Sequence, residues 1–373
     1  MPNGGPVRIV ITGASGNLGT ALLRRLESGG GQHELVGVCR RPPPDSAPYR
    51  TASWVALDLA GPGVDAALRP VLRGADAVVH LAWGFQPSQD VAYLDRLGVE
   101  GTRAVVETAQ AEGVPHLVHL SSVGAYSPGP DPGAAGGAAA GGTGVTEEWP
   151  TDGIDSLAYS IEKVAAERLL DEHERRHPDG TAVARMRPGL IVQRDAGSAL
   201  LRYGVPAYLP AALLRHVPLL PLDRDFVVPL VHTDDVADAV ARALERRATG
   251  AFNLAAEPPV TRELVADVLG ARPVHLPRTV LRTAADLAWR LRLQPLDAGW
   301  IDLAFAVPLL DTTRARTELG WSPTVDARTA LAEVLTGMAD AAATASPALR
   351  PRSVAAELAA LARRGPTVKR LFP

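Results

Sequence analysis

The chain has 373 residues, 46% of them hydrophobic, and a formal net charge of −3. That length can bury the core of one large domain plus a smaller region, and the near-neutral balance lacks the basic face that nucleic-acid binding needs. Cys39 is the only cysteine, which excludes an intrachain disulfide and points to a reducing, cytoplasmic setting.

In chain order, the apolar run Val7–Thr12 predicts a buried strand. It runs into the turn Gly13, Ala14, Ser15, Gly16, Asn17, Leu18, Gly19, which opens a helix over Asn17–Ser28. Gly13 permits the tight turn, Gly16 lets the main chain approach a pyrophosphate, and Gly19 lets the helix pack closely. The helix N-terminus then offers N–H groups and a positive dipole end to phosphates. Further strands are predicted at Glu34–Cys39, Trp54–Ala56, Ala77–Leu81, His116–Ser121 and Ala182–Met186. Helices alternate with them at Val64–Leu72, Asp90–Glu112 and Leu157–His177. Short apolar strands separated by helical periods predict an α/β fold, a Rossmann-like doubly wound parallel sheet. After Pro188 the pattern turns irregular, with a strand near Phe252–Leu254 and helices at Asp234–Glu245 and Thr261–Leu269, Asp234 being the expected N-cap.

The predicted division is a mainly dinucleotide-binding domain over 1–187, a mainly substrate-binding region over 188–340 and a basic tail over 341–373. Residues 127–144 are almost all Gly, Ala, Pro and Asp, which predicts a mobile loop, either a neutral insertion or a lid. Val354–Arg364 has helical composition, consistent with a docked surface helix or an anionic-partner site. Met1–Pro6 has no signal-peptide pattern, and Pro206, Pro210, Pro218, Pro221, Arg215 and His216 break the apolar stretch Tyr203–Leu222, so no membrane span is expected. The scattered histidines predict no metal.

Tyr159 and Lys163 lie four residues apart, on one face of one helix. An ordinary phenol holds its proton too firmly to act as a base near neutrality. A neighbouring ammonium lowers that affinity, and the phenol then exchanges a proton with a substrate oxygen. Ser122, one hydrogen bond from the same oxygen, orients it and stabilises developing charge.

These residues, with the spacing Gly13-x-x-Gly16-x-x-Gly19, resemble the extended short-chain dehydrogenase/reductase superfamily and its NAD-dependent epimerase/dehydratase family. His80-Leu81-Ala82, Val99-Glu100-Gly101-Thr102, Arg187-Pro188-Gly189, His232-Thr233-Asp234-Asp235 and Glu318-Leu319-Gly320-Trp321 extend the likeness over roughly residues 7 to 340. The resemblance selects Ser122, four positions before Tyr126, as the catalytic hydroxyl, with Ser121 a buried strand-end residue. It implies that Lys163 also holds the nicotinamide ribose, that Asp58 and Leu59 contact adenine, that Leu81 and Ala82 border the cofactor, and that Pro188 lies against the nicotinamide. Val123-Gly124 stand where dehydratases of the family carry an Asp-Glu pair, which argues against elimination chemistry. Gly98 replaces an asparagine common in relatives.

The strand end Val38-Cys39-Arg40-Arg41 offers no carboxylate for the adenosine ribose hydroxyls, whereas Arg40 suits a ribose phosphate. NADP is therefore favoured, with NAD the alternative. The sequence predicts an NAD(P)-dependent oxidoreductase that moves hydride to or from a carbonyl or hydroxyl carbon of a small molecule. An NAD-dependent epimerase with transient oxidation, and a non-catalytic cofactor sensor, remain open. Asp195–Asp225 is expected to line the substrate pocket; its dispersed Arg202, Arg215 and Arg224 argue for a substrate less charged than a sugar nucleotide. A homodimer is the partner expectation, with no nucleic acid and no membrane.

Overall fold

The protein is described by a computed structural model covering residues 6–30, 33–84, 91–129, 144–204, 210–291, 294 and 296–353. Most of the 127–144 loop and all of the helix expected at Val354–Arg364 lie outside these residues.

Seven parallel strands form the central sheet: β1 (Val7–Thr12), β2 (His33–Cys39), β3 (Ala52–Ala56), β4 (Ala77–His80), β5 (His116–Leu120), β6 (Ala182–Pro188) and β10 (Gly250–Leu254). Their order is β10-β6-β5-β4-β1-β2-β3. The central strands β1, β4 and β5 are buried on both faces, as short unbroken apolar runs must be in a parallel sheet. One face is covered by α1 (Asn17–Ser28) and a later helix, Thr233–Arg246, where Leu18, Leu22, Val236 and Val240 meet in the core. The other carries α2 (Val64–Leu72), α3 (Val91–Asp95), α4 (Gly101–Ala111) and α5 (Ala158–Arg176), which bury Leu68, Leu72, Val105 and Leu170.

The long helix expected at 90–112 is interrupted. Between α3 and α4 the chain makes a π-turn over Arg96–Glu100. Gly98 and Gly101 weaken helix propensity there, and Thr102 donates its hydroxyl to the Gly98 carbonyl. A second correction concerns α7 (Thr233–Arg246), which follows α6 (Gly197–Gly204) in the chain. Its N-cap is His232, whose Nδ1 accepts from the Asp234 amide at 3.2 Å. The helix starts one residue earlier than expected, so Asp234 sits in its first turn and pairs with Arg24 at 2.8 Å.

A three-stranded sheet, with β9 (Val227–His232) between β7 (Leu190–Val192) and β11 (Ala256–Thr261), stands beside the main one. A two-stranded sheet joins β8 (Leu219–Leu222) to β12 (Arg272–His275). The chain then adds α8 (Arg262–Leu269), α9 (Arg278–Arg290), α10 (Ala298–Ala306), α11 (Thr313–Glu318) and α12 (Ala327–Ala339). Among the described residues no helix is long and apolar enough to cross a membrane.

Candidate functional site

Strand order reverses between β1 and β4, and the crevice opens at the carboxyl ends of the strands on that line. A cavity of about 530 Å³ occupies it, lined from Gly13 and Ser15–Gly19 past Arg40 and Arg41 to Ser122, Tyr159, Lys163 and Pro188. Gly13 adopts φ +72°, and a Cβ there would lie 2.7 Å from the Ala82 amide. A Cβ on Gly19 would lie 2.5 Å from the Ala14 carbonyl, so this glycine sets the approach of α1 to the turn rather than to β1. Gly16 caps α1 with no side-chain hydrogen bond, leaving first-turn amides directed at the cavity. The cradle therefore fits the pyrophosphate of a dinucleotide.

At the far end of the cavity the structure brings Ser122, Tyr159 and Lys163 together. Ser122 ends the β5 crossover and its Oγ accepts from the Gly124 amide at 3.0 Å. Tyr159 and Lys163 lie in the first two turns of α5, and Tyr159 is hydrogen-bonded to Ser122. Lys163 is buried; its Nζ donates to the Leu120 carbonyl at 2.8 Å and stands 3.4 Å from the Trp83 ring centroid. Burial pushes the Tyr159 phenol up to about 12, the Ser122 bond only partly opposing it. The expected lowering by Lys163 does not govern this phenol. Burial drives Lys163 itself down to about 7, against the attraction of Glu167 and Glu162. His80, fixed by Thr12 at 2.7 Å and Thr102 at 2.9 Å, is neutral, pushed to about 3 by burial and then by Lys163.

Beneath Ser122 lies a charge cluster the sequence reading missed. Glu167 is one turn beyond Lys163 on α5 and has no exposed side-chain surface. It accepts from Ser121 at 2.6 Å, from Arg185 at 3.0 Å, and from Arg187 Nε and Nη2 at 2.8 and 2.9 Å. Arg187 Nη1 also donates to the Tyr126 hydroxyl and to the Glu147 carbonyl. Ser121, the expected buried strand-end residue, is thus anchored from below. The periodic placement of Glu167 on the inner face of α5 was the signal available.

At the cavity end beside β2, Arg40 Nη1 donates to the Tyr93 hydroxyl at 2.9 Å, and Arg40 and Arg41 both border the cavity. Asp58 does not line it: its carboxylate accepts from Tyr93 and from the Ala60 amide. Leu59, Leu81 and Ala82 do line it, whereas Ala14 is packed into the core. The expected tail also contributes. Ser346 donates to the Ser15 carbonyl, Thr344 meets the Tyr49 hydroxyl at 3.0 Å, and Pro347–Leu349 form part of the wall.

The substrate-side wall needs a correction. Of Asp195–Asp225, only Ala196, Ala199 and Leu200 among the described residues reach the cavity. Phe226, Val228 and Pro229 at β9, Leu190 and Ile191 of β7, Trp300, Leu303 and Ala304 of α10 and Val307 just after it also line the cavity. These segments are remote in sequence, and they converge because α10 packs against β9. The Trp300 and Tyr159 rings lie 5.5 Å apart, tilted by 31°.

Comparison with known proteins agrees with this architecture. An uncharacterized protein of Mycobacterium tuberculosis is 28% identical over 328 residues, 87% of this chain and 29% of that protein, so the chain spans under a third of that relative's length. A 3-diazoavenalumate denitrifying reductase of a Streptomyces species is 29% identical over 349 residues, covering 85% of this chain and 96% of the reductase. The crystal structure of the Bordetella bronchiseptica enzyme WbmG in complex with NAD superimposes with a TM-score of 0.63 at 21% identity, over 90% of this chain and 95% of that one. Residues 9–255 match the family model of the NAD dependent epimerase/dehydratase family, and with two-thirds of its length so matched the chain belongs to that family.

Proposed function

We propose that this chain is an NADP-dependent reductase that moves hydride between the dinucleotide and a carbonyl or hydroxyl carbon of a small molecule. The observation that carries the reading is the Tyr159 phenol, hydrogen-bonded to Ser122 in the cavity wall with Lys163 one turn away. When bound, the dinucleotide supplies or accepts the hydride. In the reducing direction the carbonyl π bond breaks, a C–H bond forms at carbon, and Tyr159 gives its proton to the oxygen while Ser122 orients that oxygen. A phenol held up near 12 by burial keeps its proton at neutral pH, which suits donation. The Leu120 carbonyl and the Trp83 face favour the ammonium of Lys163 against its burial, and that ammonium would hold the nicotinamide ribose.

NADP is favoured because Arg40 and Arg41 border the cavity at the end of β2 while, among the described residues, no carboxylate does. The Streptomyces relative is a reductase, which supports net reduction over epimerisation. Tyr159→Phe removes one hydroxyl at nearly constant volume, so folding and dinucleotide affinity survive and turnover falls about 10²–10⁴-fold. Near-parental turnover in that variant refutes the mechanism. Mass analysis of cofactor released on denaturation separates the readings: tightly retained NAD identifies an epimerase.

A further inference from the structure

We infer that the substrate is a neutral, flat, apolar carbonyl compound, an aryl ketone or aldehyde, rather than a sugar nucleotide. The inference rests on the hydride-transfer reading above and names the substrate class of that site.

Among the described residues, only Arg40, Arg41 and Lys163 carry charge in the cavity wall, and all three lie on the dinucleotide side. From Pro188 onward the described residues of the wall include no ionisable side chain; Phe226, Val228, Trp300, Leu303, Ala304 and Val307 dominate it. A nucleoside diphosphate would bring two negative charges against this surface with no cation to meet them, a burial that costs far more than it returns. The arginines nearest in sequence are held elsewhere. Arg202 donates to the carbonyls of Arg350 and Ala348, and Arg215 pairs with Asp340. Arg224 is exposed and does not reach the cavity.

Among the described residues the hydroxyls facing the substrate side are those of Ser122 and Tyr159. Ser122 and Tyr159 present their hydroxyls together, enough for one substrate oxygen. Beside them the Trp300 ring tilts over the Tyr159 ring, and the Phe226 ring packs edge-on against Phe305 of α10 at 5.9 Å. One oxygen flanked by aromatic and aliphatic surface selects a carbonyl attached to a flat apolar group.

The test measures binding to the full chain by calorimetry, with NADP+ present so that no ketone is reduced. The probes are benzaldehyde, acetophenone and benzylideneacetone, with UDP-glucose and UDP as the charged comparison. At least one aryl probe is expected to bind at least tenfold more tightly than UDP-glucose. Leu303→Lys, which puts an ammonium in the wall, is expected to weaken that probe at least tenfold while dinucleotide affinity changes less than twofold. Trp300→Leu keeps the wall apolar, removes the ring, and is expected to weaken the aryl probe at least threefold but not cyclohexanone. Tighter binding of UDP-glucose or UDP, failure of all three aryl probes to bind at 10 mM (a ceiling of about 10 mM, or roughly 3 kcal/mol of affinity), or unchanged aryl affinity in both variants overturns the inference. Incubation with the dinucleotide in each redox state separates the two claims. Aryl binding without NADPH oxidation refutes hydride transfer and leaves the substrate class standing, whereas NADP+ reduction with UDP-glucose, whose hydroxyl carbon can only give up hydride, does the reverse.

Discussion

Glu167→Gln tests whether the buried charge cluster holds the serine strand in place. The substitution is nearly isosteric and removes only the charge. It leaves Arg185 and Arg187, each 5% exposed, facing a neutral amide in place of a carboxylate. Breaking such a buried pair costs about 3–5 kcal/mol. The proton affinity of Glu167 gives a concordant figure. Although burial raises it, the Arg187 and Arg185 guanidiniums and the Ser121 hydroxyl bring it from 4.5 down to about 2. That displacement corresponds to roughly 3 kcal/mol. With an unfolding entropy of about 2.1 cal/mol/K per residue, a chain of 373 residues loses about 1.3 °C per kcal/mol, so Tm should drop by roughly 4–6 °C. Because the folded-state value is depressed, the stabilisation is full above pH 4.5 and is lost as the pH falls through about 2. The gap between parent and variant should therefore narrow on acidification from pH 7 to pH 3, followed by calorimetry or circular dichroism. A Tm within 1 °C of the parent at pH 7 (about 1 kcal/mol on the same scale), or a gap that widens in acid, refutes the reasoning.

Three further outcomes are expected. Arg40→Asp should weaken NADPH about 10–100-fold and improve NADH, in line with one lost charge-assisted phosphate contact; parental affinity that is equal for the two cofactors contradicts the assignment. Glu162 is buried without a hydrogen-bond partner among the described residues, and burial, then Asp95, hold it up at about 7 against Lys163. Its raised value means stability is lost as the pH rises from 4.5 through about 7, so Glu162→Gln should be more stable than the parent by about 1–3 kcal/mol at pH 8, converging at pH 5; a pH-independent difference in melting refutes this. Gly19→Ala should cost about 1–3 kcal/mol by overpacking against Ala14 and should weaken dinucleotide binding, both read from one ligand-dependent thermal melt.

The sequence by itself determined the sheet, the cofactor turn and the Ser122–Tyr159–Lys163 group. These are local signals. Hydrophobic period separates strands such as β1 and β4 from helices such as α1 and α2, which the structure places at Val7–Thr12, Ala77–His80, Asn17–Ser28 and Val64–Leu72. A four-residue spacing on one helix face fixes Tyr159 and Lys163 relative to each other wherever the helix lies. The interruption at Arg96–Glu100 and the His232 cap were less legible, because each depends on a single hydrogen-bonding choice at a helix end or bend.

Only the tertiary structure decided what surrounds those residues. Glu167, Arg185 and Arg187 are ordinary charges in the sequence, and burial beneath Ser121 turns them into one cluster. Asp58, expected at the adenine, does not line the cavity, and the Tyr93 hydroxyl and the Ala60 amide engage its carboxylate. The cavity wall is assembled from β9, α10 and Pro347–Leu349, segments separated by tens of residues and unmarked by any motif. Apolar residues that line a pocket have the same composition and period as those that fill a core. Whether Trp300 or Val228 meets a neighbour or a ligand is set by the distance between packed elements, which no local pattern encodes.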